Sequence, residues 1–304
     1  MGDILLKAGG FLLTILAGYL FKRTGLLRAS DANILKKIML NLTLPCVMVA
    51  GIQNMNLQLA LIVPLIAGFV IDPLFVVYSQ FLFRKREPQM KVLGILNLSS
   101  FNIGSFLVPF LTAFFPASAV SISSMFDIGN GIYGTGLIFS YAQCVINPEA
   151  QFRPRDMLHN ILHSTTLMTY LPMLLLFLCG VRLPDGVYTL LRNFGNSNAF
   201  LSFFIIGLML EIQLEKEDVG TILKLLLSRY ALSIPLAAAI WFLLPVDALV
   251  RQVLALCLLT PFSSVTPAFC ASLGCKPTLA SFVNALSLIL SLIIVVILMV
   301  VWQI

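Results

Sequence analysis

The sequence predicts an all-α membrane protein: ten transmembrane helices in two inverted five-helix halves, with the fourth and ninth helices broken. Three observations carry that expectation. Of the 304 residues, 59% are hydrophobic and only 11% are charged, with a mean hydropathy of +0.99, whereas soluble globular chains carry about 25% charged residues. Apolar stretches long enough to cross a bilayer recur along the whole chain. Two of them are interrupted at matching places, by Asn102-Ile103-Gly104-Ser105-Phe106-Leu107-Val108-Pro109 and by Pro261-Phe262-Ser263-Ser264-Val265-Thr266-Pro267.

At about 20 apolar residues per crossing, the spans fall near residues 4–21, 33–52, 57–83, 89–114 and 119–142, then 158–180, 187–211, 219–244, 249–273 and 278–302. The first stretch follows Asp3 and a lone Lys7 and precedes no small-residue cleavage site, so it is expected to remain as a span rather than to leave as a signal peptide. The longest polar connection, Gln143 to Asp156, is only a loop. The chain therefore divides into residues 1–145 and 146–304, two repeats of one integral membrane unit. An odd number of spans in each half sends the second half into the membrane from the opposite side, the geometry of an inverted repeat. Local echoes accompany it: Asn41 to Gly51 resembles Ser197 to Gly207, and Asn130 and Asn284 lie early in the fifth and tenth spans.

The net charge of +6 and pI of about 9.1 imply no nucleic-acid partner, because the cations cluster in short loops beside spans. Alternate loops hold Lys22, Arg23, Arg28, Lys36 and Lys37, then Arg84, Lys85, Arg86 and Lys91, then Arg153, Arg155, Lys216, Lys224 and Lys276. The opposite side holds Lys7, Arg182, Arg192 and Arg251. By the positive-inside rule the rich side is cytoplasmic, which places both termini outside a plasma membrane. Arg229, inside the eighth span, is expected to snorkel to the cytoplasmic interface. The six cysteines lack metal or disulfide spacing and read as small buried hydrophobes.

Hydrocarbon offers backbone groups no hydrogen bonds, so a broken helix at membrane depth persists only where protein buries it or water reaches it. Paired breaks are the sequence mark of a transporter's binding site. A half-helix start exposes unpaired N–H groups and a positive dipole end, which together attract an anion such as a carboxylate. Asn102, Gly104 and Ser105 would supply donors beside Pro109, and Pro261, Ser263, Ser264 and Thr266 would face them from the other break. Asn41 and Pro45 of the second span are candidates to line the same cavity, or else a local kink. The blander reading of Pro109 and Pro261 is that they merely kink packed helices.

The segments Phe11 to Leu20, Gly25-Leu26-Leu27 and Asn41-Leu42-Thr43-Leu44-Pro45, with Asn102, Gly104 and Pro109, resemble the auxin efflux carrier family, within the superfamily of bile-acid, arsenite and riboflavin transporters. Pro261 to Gly274 is similar in spacing to that family's ninth span. The resemblance covers essentially the whole chain and implies a short, bacterial-type member. It implies helices four and nine crossing at the midplane, transport of a small organic anion by alternating access, and a homodimer. Val265 stands where relatives often carry Asn, and the proline expected before Gly207 is replaced near Phe200, so contacts from those helices depart from the pattern.

Asp72, before Pro73, and Asp127, near Asn130, lie well inside spans. Carboxylates in lipid are costly and are functional candidates by default. Each is a candidate proton carrier or a partner in a structural hydrogen bond, and Asn130 belongs with Asp127. The family's plant members carry an acid in the third span, which favours Asp72. A proton is the favoured coupling ion, or none at all, and sodium the lesser alternative, as in bile-acid symporters. His159 and His163, spaced i, i+4, lack further ligands and read as an interfacial pair. Glu211, Glu215, Glu217 and Asp218 read as a solvated turn. No metal or cofactor is expected. Enzymatic motifs with a nucleophile and base are absent, so the competing class is a transporter-like receptor that binds ligand without moving it.

Overall fold

The computed structural model describes residues 2–51, 53, 61–149, 154–162, 164–210 and 218–302, which form helices and short connections with no strand among them. In chain order the helices are α1 (Gly2–Arg23), α2 (Ala29–Gly51), α3 (Ile62–Phe83), α4 (Pro88–Leu98), α5 (Ile103–Phe114), α6 (residues 117–146) and α7 (Pro154–Leu162). Then come α8 (Thr165–Leu178), α9 (Asp185–Gly195), α10 (Ser197–Met209), α11 (Val219–Leu243), α12 (Ala248–Leu258), α13 (Thr266–Ser272) and α14 (Pro277–Trp302).

Among the described residues, α2, α3, α11 and α14 are each long and apolar enough to cross a membrane. Helices α4 and α5, bent by 44° at their break, make a fifth crossing if counted together. The other predicted spans fall on α1, α6 and pairs of shorter helices: α7 with α8, α9 with α10, and α12 with α13. Proline is tolerated inside α3 at Pro73 and inside α11 at Pro235, as it is in membrane helices whose neighbours satisfy the freed carbonyl.

The helices pack as two groups, each drawing on both halves of the chain. One gathers α1, α2, α8, α9 and α10; the other gathers α3 to α6 with α11 to α14. Each group contains a close helix pair made by small residues. A Cβ on Gly18 of α1 or Gly207 of α10 would strike the facing backbone, at Phe204 and Ile15 respectively. Gly68 of α3 and Gly129 of α6 stand in the same relation. Such approach is how helices gain packing where lipid gives no hydrophobic drive. Three π-helical stretches, residues 39–43 in α2, 103–107 in α5 and 132–138 in α6, widen the helices locally. All three border the same internal space, and π turns recur at functional sites.

Candidate functional site

The first interruption lies upstream of where the glycine and proline place it. Helix α4 ends at Leu98 and α5 restarts at Ile103, so the broken backbone is residues 99–102, while Gly104, Ser105 and Pro109 belong to the second arm. Pro109 is fully buried near the start of that arm's α-helical turns, and it does not border the cavity. The physical reason is that Pro109 directly follows the π-helical stretch 103–107 of α5, and such local π adjustments re-satisfy the backbone that a proline frees inside a membrane helix. Pro267, by contrast, is the second residue of α13, in a first turn where its missing N–H would be unpaired anyway.

The two interruptions touch. Asn102 N donates to the carbonyl of Pro261 at 3.1 Å, and Ser263 N donates to Ser100 Oγ at 3.3 Å. Thr266 Oγ1 lies 3.3 Å from both Ser100 Oγ and the Leu96 carbonyl. The hydroxyl of Thr266 thus ties one break to the other, whereas Ser264 borders the cavity. Side chains from outside also brace the backbone of both breaks. The Asn130 amide spans Phe101, donating to its carbonyl at 3.2 Å and accepting from its N–H at 3.3 Å. On the other break, Asn284 Nδ2 donates to the Ser263 carbonyl at 3.3 Å and Ser287 Oγ accepts from Phe262 N at 3.2 Å.

Arg229 does not snorkel. It is 0% exposed, its guanidinium donating to the carbonyls of Leu98 and, at 3.3 Å, Thr260, the trailing ends of the two first arms. Its guanidinium carbon lies 3.8 Å from the ring centroid of Phe101 and 5.7 Å from that of Phe262. The trailing ends carry unpaired carbonyls and the negative end of the helix dipole, so a buried cation there has partners that the lipid interface would not give it. Asp72, also 0% exposed, feels the Arg229 charge but makes no hydrogen bond among the described residues.

A cavity of about 130 Å³ opens beside the breaks, bordered by Lys36, Asn102, Gly104, Ser105, Asp127 and Ser264 among others. That volume is close to the roughly 150 Å³ of engineered cavities that take benzene. Asn102 is 5% exposed and its side chain makes no cap hydrogen bond. Asp127 accepts from Asn130 Nδ2 at 2.6 Å and from the Tyr170 hydroxyl of α8. A second cavity, about 70 Å³, shares Lys36, Met39, Asn102, Ser105 and Ser264.

Asn41 and Pro45 do not border either cavity; Asn41 is exposed and donates to the Lys37 carbonyl at 2.8 Å. Helical phase explains the difference, since Lys36, Leu40 and Leu44 lie at i, i+4, i+8 on the inner face, and one residue further turns a side chain by about 100°. Asp72 and Pro261 are likewise absent from the walls, although Pro261 holds Asn102 through its carbonyl. His159 lies exposed on α7, while His163 and Glu211, Glu215 and Glu217 fall outside the described residues. Asp218 pairs with Lys276 at 3.4 Å. Lys36, Arg229, Tyr170 and Ser100 are the residues that reading the sequence missed. Neither the family models nor the curated proteins compared with this chain match it.

Proposed function

We propose that the chain is a secondary transporter of a small organic anion, with the substrate bound where the two interrupted helices meet. The observation that carries this reading is the cavity at that meeting point. Its wall combines the Asn102 amide, the unpaired N–H groups expected at the start of α5, and Ser105 and Ser264. The wall draws residues from both helix groups, Met39 and Leu44 from one and Asn102 and Asp127 from the other, which is what alternating access by movement of one group against the other requires. The matched bracing of the two breaks by Asn130 and Asn284 supports an inverted repeat of residues 1–145 and 146–304, with ten spans and both termini outside the plasma membrane. Under an inside-negative potential, export of a monoanion is favoured by about 2.3 kcal/mol per 100 mV.

Flux of small carboxylates into proteoliposomes tests the reading, and binding of the same acids without flux would sink it in favour of a receptor. Asn102→Ala removes one neutral donor worth about 0.5–1.5 kcal/mol, so affinity is expected to fall about 2- to 12-fold while the protein stays folded. Unchanged affinity in the purified variant would remove Asn102 from the site.

Asp127 is the better-placed proton carrier of the two buried acids. It borders the cavity, braces the break through Asn130 and reaches across the groups to Tyr170. The titratable and charged groups around it are Tyr170, Asp72 and Cys257, with Lys36 on the cavity wall. Asp127→Asn fixes the neutral form, so exchange of labelled for unlabelled substrate is expected to persist while accumulation driven by a pH gradient is lost. A variant that still follows the gradient would exclude Asp127 as the carrier.

A further inference from the structure

Both cavities share one charged side chain that neither break contains. Lys36 borders the 130 Å³ and the 70 Å³ space alike. It is half-buried, whereas Lys37 beside it is exposed. Among the described residues no hydrogen bond or ion pair reaches its ammonium. Among the described residues, the only other charged side chain on either wall is Asp127, whose two oxygens are already engaged by Asn130 and Tyr170. Among the described residues, the charge left without a partner on these walls is therefore positive and single.

Removing an ammonium from bulk water without a counter-charge is costly, and the cost is recovered when an anion arrives. The neighbours fix what kind of anion. Asn102, Gly104 and Ser105 offer neutral donors on the same cavity wall, while Leu40, Leu44 and Phe269 add apolar surface to it. Resting on the transporter reading above, we propose that Lys36 is the counter-charge of the substrate carboxylate, and that it selects monoanionic acids with an apolar body of about one ring over neutral isosteres and dianions. Because Lys36 belongs to one helix group and Asn102 to the other, a carboxylate held between them bridges the two parts that move.

The test uses benzoate, its neutral isostere benzamide and the dianion phthalate, with binding read as ligand-induced thermal stabilisation of the purified protein and transport as proteoliposome uptake. Wild type is expected to prefer benzoate to both others. A charge-assisted contact is worth about 1.5–3 kcal/mol, so Lys36→Gln is expected to lose about 10- to 150-fold in benzoate affinity with benzamide unaffected, and Lys36→Arg to keep the preference. That change of preference separates a direct contact from loss of structure, which would lower all three together. Lys36→Gln binding benzoate as wild type does would overturn the assignment while leaving transport standing. Binding that depends on Lys36 without any flux would overturn transport and leave the assignment standing. A wild type that binds none of the three, or binds phthalate best, would overturn the proposed ligand class.

Discussion

Arg229→Met is expected to lower stability by about 3–5 kcal/mol, the usual loss when one member of a buried charged set is removed. Methionine fills most of the space but donates nothing, so the Leu98 and Thr260 carbonyls lose their donor at once, and Asp72 keeps its place in the core without the nearby positive charge. At about 2–4 °C per kcal/mol, the midpoint of thermal unfolding should fall by roughly 10 °C. Arg229→Lys keeps the charge but not the planar fork that reaches two carbonyls from one head, and should recover only part of the loss. Unfolding midpoints within a degree or two of wild type for Arg229→Met would show that the half-helix ends do not depend on the guanidinium. In transporters, such ends commonly hold the coupling cation. Here the place is filled by a side chain of the protein itself, which argues against sodium at these two ends.

The sequence made the helical class legible because composition and span length leave few alternatives, and it located both interruptions to within a few residues. The displacement of the first break to residues 99–102 has a physical cause: a π adjustment accommodates Pro109 inside α5, so the proline marks no end of the helix. Lys36 was hidden by its neighbourhood. Cations at the edge of a span report topology, and only the phase of the helix distinguishes the inward Lys36 from the outward Lys37. Arg229 left no local signal at all, since its partners are backbone carbonyls 131 and 31 residues away. The same helical phase carried Asn41 and Pro45 away from the cavity that their neighbours Leu40 and Leu44 border. In contrast, Asn130 and Asn284 stood out as matching amides, and the structure gives both a role at the backbone of the break beside them.

That pairing is unequal, and the inequality gives the second large effect. Asn130 holds both the N–H and the carbonyl of Phe101 and also donates to Asp127; Asn284 holds only the Ser263 carbonyl, while Ser287 takes the Phe262 N–H. Each buried group left without a partner costs about 1–3 kcal/mol. Asn130→Leu strands three such groups and is expected to cost about 3–9 kcal/mol, whereas Asn284→Leu strands one and is expected to cost about 1–3 kcal/mol. Thermal unfolding of the two purified variants compares them directly, with Asn130→Leu expected to be the less stable by several degrees or to aggregate. The functional consequences should divide the same way. Losing Asn130 frees Phe101, the residue before Asn102, and unbinds one oxygen of Asp127, so Asn130→Leu is expected to disturb both the proposed anion contact and the proposed proton carrier. Asn284→Leu acts at the second cavity and at Ser263, and should raise the concentration needed for half-maximal flux while leaving the pH dependence intact. Equal losses in the two variants would mean that the number of hydrogen bonds each amide makes does not set how firmly its break is held.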